Sequence, residues 1–345
     1  MMLENDFVSG HFHNWKTIDV FIEKKKINNI EVNVAGFCAQ ALNNDNEIMS
    51  GSAADLKTEA NAVIRSQYEL LERVSIAEVL KTSEEHLFKF YNRFNQYQGV
   101  IEKKIVFPSS DNCEWRYSLS NGVAIHTDVN MAMEKAQAEL VERDAILRSW
   151  YGETLPQEIV GAAKEIGSEV ITALADRYRI KIYKFVDISP DSALNVLGVF
   201  AFPINPSKNS PMVYGLAADQ VFEVAMEKSL QEMLQRLVFL EGEENEIELP
   251  PFAPSPLYHQ EIFLRSAGIE ELKGWLSGRH YRKKSVYPSA MPSEIYFVDL
   301  TPVAAKSFVV MKAISRNRVP LIFGKKYQSV GIKVAIESWE IHPIV

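Results

Sequence analysis

Cysteine is nearly absent. Cys38 and Cys113 are the two in 345 residues, too few for a disulfide framework and too isolated for C-x-x-C metal spacing, so each is expected as a buried thiol in a reducing cytoplasm. Basic charge is also short: Lys+Arg 37 against Asp+Glu 45 leaves a formal net charge of -8. That balance argues against nucleic-acid binding as the main business of the chain and leaves room only for local basic patches. Long apolar runs are missing. The longest, ALNVLGVFAFPI at 193–204, has the length of a core strand pair rather than a membrane span, and the opening MMLENDFVSG lacks the basic flank and apolar stretch of a secretory signal. The sixteen glycines form neither G-x-x-x-x-G-K-[ST] nor G-x-G-x-x-G, which removes the P-loop, Rossmann and kinase-type phosphate cradles. None of the seven histidines follows a glutamate by three positions, which argues against a di-iron bundle.

What is present reads as globular: 47% of the residues are hydrophobic and 24% charged. Helical periodicity is clearest in KTEANAVIRSQYELLERVSIAEVL, NMAMEKAQAELVERDAILRSWY and VFEVAMEKSLQEMLQRLVFLEG. Between and after them lie stretches rich in β-branched and aromatic residues, IEVNVAGFCAQAL, RIKIYKFVDIS, LNVLGVFAFP, EIYFVDLT and KSFVVMKAI, which read as strands. Interspersed strands and helices place the chain in the α/β (α+β) class, as one domain over 1–345. The acidic and proline-rich stretch at 241–256 reads as a flexible, solvated loop, and GRHYRKK at 278–284 as a polar turn.

The most informative feature is a repeat. AVIRSQYELLER begins at Ala62, AMEKAQAELVER at Ala132 and AMEKSLQEMLQR at Ala225, sharing A-x-x-[KR]-[AS]-x-x-E-x-x-[EQ]-R. Counting the first glutamate as zero, the shared positions fall at about −7, −4, −3, 0, +3 and +4, largely one stripe of a helix. Small residues on half the stripe (Ala62/Ser66, Ala132/Ala136, Ala225/Ser229) let another backbone approach. The other half carries acids: Glu69/Glu72, Glu139/Glu142 and Glu232, with Gln235. Arg73, Arg143 and Arg236 each reach the glutamate four residues back. One such copy is an ordinary exposed helix pair worth a few tenths of a kcal/mol. Three copies that also keep the small residues point to packed helices facing carboxylates into a common space. Two carboxylates about 5 Å apart repel by about 3 kcal/mol at an effective dielectric of 20, so the cluster requires protons or cations. All-oxygen ligation favours Mg2+, which keeps positions open for phosphates.

These residues resemble the YcaO superfamily. SQYELLER fits its S-x-x-E-x-x-E-R motif at Ser66, Glu69, Glu72 and Arg73. The stretch from Ser120 to Trp150 is similar to its S-N-G segment and following E-x-x-E-R-D-A helix. LQEMLQR carries E-x-x-Q at Glu232 and Gln235, and VDLT (298–301) and VPLIFG (319–324) look like its C-terminal strand and proline-bearing turn. The resemblance spans about residues 50–324.

It implies a YcaO-like fold of mixed sheets and packed helices carrying an acidic ATP/Mg2+ site. The implied activity is ATP-dependent addition of a nucleophile to a peptide amide carbonyl, with phosphorylation of the resulting oxyanion and departure of phosphate. Cys, Ser or Thr as nucleophile gives thiazoline or oxazoline, sulfide a thioamide, an amine an amidine. The motif match makes Glu69, Glu72, Glu139, Glu142 and Glu232 magnesium-side ligands, and Ser66, Asn121, Arg143 and Gln235 nucleotide contacts. Arg73 and Arg236 are expected as helix-stripe partners, and no general base is assigned. A ribosomally made precursor peptide is the implied substrate, as in bacteriocin and microcin maturation. A separate leader-peptide-binding, E1-like protein is the implied partner, in a hetero-complex or alongside homodimerisation. Two other outcomes stay open: a thioamide- or amidine-forming enzyme, and a non-catalytic nucleotide-binding scaffold. The family's S-N-G-x-A-x-G ends here in His126, expected at the surface or as a lining residue. The P-x-P-x-P tail of many azoline-forming members is replaced by IHPIV, with Pro343 alone.

Overall fold

The chain turns back on itself first at Asn28, whose φ of 52 lies in the left-handed region that asparagine tolerates. This turn joins Trp15–Ile27 to Ile30–Ala41, and Asn44–Asp55 completes an antiparallel meander. The computed structural model describes residues 7–82, 85–108, 115–161, 168–188, 193–205, 210–240, 255–281, 294–303, 305, 307–316, 318–324 and 341–344. Cys113, most of the acidic and proline-rich stretch and the basic end of 278–284 lie outside them.

Two compact units form. The first comprises Met1–Val106, Leu119–Gln137 and Glu294–Ile314; the second comprises Phe107–Ser118, Ala138–Ser293 and Ser315–Val345. In the first unit the meander carries helix Glu59–Leu80. Thr58 caps the helix by accepting the Asn61 N–H, and Asp55 Oδ1 accepts the N–H groups of Lys57 and Thr58 just before it. Ala62, Ser66, Leu70 and Val74, each one turn on from the last, form its buried stripe. A five-stranded antiparallel sheet completes the unit in the order Tyr97–Glu102, Leu87–Tyr91, Tyr296–Asp299, Val309–Ile314, Val123–His126.

The second unit is built on a four-stranded antiparallel sheet ordered Val213–Asp219, Asn195–Pro203, Tyr178–Phe185, Gln157–Glu158. The apolar run around residue 200 is one strand of this sheet rather than a strand pair. As an interior strand, buried at every position from Val196 to Phe202, it needs no alternation. Helix Phe222–Leu240 packs across Val213–Asp219 and Asn195–Pro203. Trp275 is fully buried, stacked on Phe185 at 5.2 Å, with its Nε1–H donated to Ser149 at 3.0 Å. Helix Val129–Trp150 contributes its residues from Ala138 onward to this unit. Among the described residues no helix is long and apolar enough to cross a membrane.

Candidate functional site

All six small residues of the repeat stripe, Ala62, Ser66, Ala132, Ala136, Ala225 and Ser229, have zero exposure. In two copies the approaching backbone is a glycine on a strand. A Cβ on Gly51 would collide with the Ser66 carbonyl, and a Cβ on Gly215 with that of Ser229. The next residue then reaches the glutamate. In the first unit the Ser52 N–H donates to Glu69 Oε2 at 2.7 Å while Arg73 donates to Oε1 at 2.5 Å. In the second unit the Leu216 N–H donates to Glu232 Oε2 at 2.8 Å while Arg236 donates to Oε1 at 2.9 Å. The serine hydroxyls turn inward: Ser66 donates to the Val63 carbonyl, and Ser229 to those of Ala225 and Leu197. Glu72 and Gln235, one turn further along their helices, are half-buried.

The middle copy differs. Arg143 Nη1 lies 3.3 Å from Glu142 Oε1 and its Nε lies 3.9 Å from Glu139 Oε1. These separations bring charge together without hydrogen-bond geometry. Nε and Nη1 of Arg143 are sealed from water and have no acceptor among the described residues. Guanidinium does not deprotonate in proteins, and each buried donor left unmatched costs roughly 1–3 kcal/mol. Glu232 joins the same electrostatic group from the neighbouring helix. Burial pushes the Glu142 carboxyl up to about 7; Glu232 and Glu139 add repulsion, while Arg143 and the Ala218 N–H pull it down. The second unit therefore gathers Glu139, Glu142, Arg143 and Glu232, at whose margin Arg236 stacks over the Tyr214 ring at 4.7 Å.

Asp144 is adjacent to this group in sequence and lies outside the repeat pattern. It is 1% exposed and accepts from Arg148 Nε with both oxygens, from Arg318 Nη1 at 2.8 Å and from the Val319 N–H at 2.7 Å. Its signal was the arginine four residues later, but Arg318 is 174 residues away in sequence. In the first unit Asn121 is 2% exposed, and its Oδ1 has no donor among the described residues. His126 is half-buried and its Nδ1 accepts the Asp128 N–H at 3.0 Å, next to the start of helix Val129–Trp150. Cys38 is also half-buried, and burial raises its thiol pKa.

A family model described as YcaO cyclodehydratase, ATP- and Mg2+-binding, matches residues 37–314. The chain belongs to the YcaO family. No curated protein sequence matches it. Among solved structures, this YcaO chain is similar to a chain of the E. coli microcin synthetase McbBCD complex, at 15% identity and a TM-score of 0.58, over 86% of this chain and 87% of that one. The same complex with pro-MccB17 bound gives 16% identity and a TM-score of 0.55, with 86% and 87% coverage. A heterocyclase in complex with substrate and cofactor gives 12% identity and a TM-score of 0.59; 88% of the YcaO chain aligns with 50% of that longer one. At these identities the likeness establishes the fold.

The donor set can be tested against the family's ligands. Among the described residues no three His, Cys, Asp or Glu side chains converge into a metal cage. Mg2+ carried by a nucleotide does not need one, because it is held by one or two carboxylates together with phosphate oxygens and water. The unmatched Arg143 donors and the strained ionisation of Glu142 fit an anionic ligand arriving with its cation. These residues suit a magnesium–nucleotide complex and do not suit a free-standing metal centre.

Proposed function

We propose that this YcaO chain activates backbone amides of a ribosomally made precursor peptide at the expense of ATP. The product is thiazoline or oxazoline formed from Cys, Ser or Thr, and the chain acts as one subunit of a maturation complex. One observation carries the assignment: a buried guanidinium, Arg143, with unsatisfied donors amid three glutamates, in a chain of an ATP- and Mg2+-binding family. Bound MgATP would supply the phosphorus that takes the amide oxygen.

The chain's own residues hold and neutralise. Arg143 offers its planar fork to phosphate oxygens, and Asn121, Ser66 and Gln235 are assigned to the nucleotide by motif position. Glu142 and Glu139 offer carboxylates to the cation, and Glu232, fixed by Leu216 and Arg236, keeps an oxygen lone pair for it. Glu69 and Glu72 are assigned to magnesium by their motif. Catalysis of this kind rests on positioning and charge neutralisation. The likeness to chains of a multi-subunit synthetase supports a separate leader-binding partner and a peptide substrate.

Co-expression with candidate precursor and partner proteins, followed by weighing the peptide, tests this. Loss of one water per modified residue is the expected result. Exchange of oxygen for sulfur would reassign the chain to thioamide formation, and nucleotide binding without any peptide change would reduce it to a scaffold.

A further inference from the structure

Lys312 stands in the middle of strand Val309–Ile314, opposite Val123 in the register. Its side chain has zero exposure, an unusual place for an ammonium, which is costly to bury unless it is hydrogen-bonded. Its Nζ donates to the main-chain carbonyl of Leu119 at 3.0 Å and to that of Asn121 at 2.6 Å. The neighbouring Ala313 N–H donates to the Gly122 carbonyl at 2.7 Å, and the Val123 N–H closes the turn onto Ser120 at 2.9 Å. The segment from Leu119 to Gly122 is thus clamped from below at successive carbonyls. The residue in the middle of the clamp is Asn121, whose side-chain oxygen is buried and has no donor among the described residues. A strand that needed only to fill volume would be served by methionine or leucine at this position. A cation whose bonds go to the main chain on either side of one carboxamide does something narrower: it sets where that carboxamide points.

We propose that Lys312 is the positioning residue for Asn121, holding the Ser120-Asn121-Gly122 turn so that the Asn121 carboxamide is presented to the bound magnesium–nucleotide. This rests on the nucleotide assignment above. It concerns a residue outside the acidic repeat, on a strand that is separated from the turn by about 190 positions in sequence.

The test is a double-mutant cycle on the full chain, with binding of a fluorescent mant-ATP in the presence of Mg2+ as the readout and the thermal midpoint measured in parallel. Asn121→Ala and Lys312→Met are each expected to weaken binding by about tenfold or more, the loss typical of a charge-assisted contact. The double variant is expected to bind no worse than about threefold below Asn121→Ala, because the two act through one group. A folded Lys312→Met protein with wild-type affinity, an Asn121→Ala protein with wild-type affinity, or losses that multiply in the double variant would each overturn the proposal. If Lys312→Met does not fold, Lys312→Arg replaces it in the cycle with the same outcomes, since the bulkier cation displaces the turn while still donating to it. A wild-type chain that binds no mant-ATP would overturn the nucleotide assignment itself, and this proposal with it.

Discussion

The Leu216 N–H donates to Glu232 Oε2 at 2.8 Å. Among the described residues Val213–Asp219 is an edge strand, and an edge strand leaves a row of N–H groups without a ladder partner. Here two of them are taken by acids from two helices, Leu216 by Glu232 and Ala218 by Glu142. Glu232 is therefore structural as well as a ligand candidate. Glu232→Ala is expected to lower the unfolding free energy by about 2 kcal/mol, as for a lost charge-assisted hydrogen bond. Glu232→Gln, which keeps an acceptor for Leu216 and loses the ion pair with Arg236, should cost about half as much. Urea titration of the three proteins checks the ranking, and an alanine variant as stable as wild type would contradict it.

Close approach of strand to helix makes a second demand. Gly51→Ala and Gly215→Ala should each destabilise by about 2 kcal/mol or more, because the added methyl meets main-chain atoms of the facing helix rather than a movable side chain. Substitution of Gly161, where a Cβ meets nothing within 4 Å but φ is +93, costs only backbone strain and serves as the control. Thermal midpoints of the three variants decide this.

Arg143 and Arg236 occupy equivalent repeat positions with different company, so substitution should separate them. Lysine cannot reproduce a planar fork. Arg143→Lys is expected to weaken MgATP binding at least tenfold with little change in stability, whereas Arg236→Lys should act mainly on stability through Glu232 and Tyr214. Calorimetric titration together with denaturation distinguishes the two, and equal losses of affinity would count against the special status of Arg143.

Glu142 gives a pH signature of known sign. Its folded pKa of about 7 exceeds the ordinary value of 4.5, so between those values the folded state binds more protons than the unfolded one. Stability contributed by the protonated group is complete below about pH 4.5 and is lost as pH rises through about 7, on the order of 3 kcal/mol in all. Glu142→Gln should flatten this decline while abolishing turnover with the fold intact. Mg2+ with nucleotide should stabilise the wild-type protein more at pH 8 than at pH 6. A pH-independent thermal shift would contradict the assignment.

His259 works in the opposite direction. Burial lowers its pKa to about 4 from 6.5, and His342, whose ring centroid lies 4.4 Å away, is lowered well below its ordinary value. Neutral histidine contributes stability that is complete above about pH 6.5 and lost as pH falls through about 4, again about 3 kcal/mol for His259. Because two histidines act against one carboxyl where the windows overlap, wild-type stability should rise from pH 5 to 6.5. His259→Gln, which leaves His342 against Glu142, should flatten that rise, as denaturation midpoints at half-unit pH steps will show.

Much of this architecture was visible in the chain itself. The three long helices appear as Glu59–Leu80, Val129–Trp150 and Phe222–Leu240 because each buries a continuous stripe that small residues mark. Ile30–Ala41 and Val309–Ile314 were equally plain, being β-branched and buried on both faces. Trp15–Ile27 was not, since an outer strand of the meander exposes its lysines, Asp19 and Glu23 and shows little alternation. Asn44–Asp55 opens with polar turn-formers and becomes a strand because Gly51 and Ser52 must lie against the helix. The repeat identified the acids and arginines but not which arginine would lack an acceptor, as that depends on the strand beside each helix. The roles of Asp144 and Lys312 are not legible in the sequence because their partners lie far along the chain.

The paired cassettes also suggest where this scaffold yields. Ser52 stands 17 residues before its glutamate, but Leu216 stands only 16 before its own. The grip is the same at both ends although the connectors differ by one residue. The short link at Gln220 and Val221, between the strand and its helix, is accordingly the natural insertion point for a reporter peptide or a crosslinking amino acid.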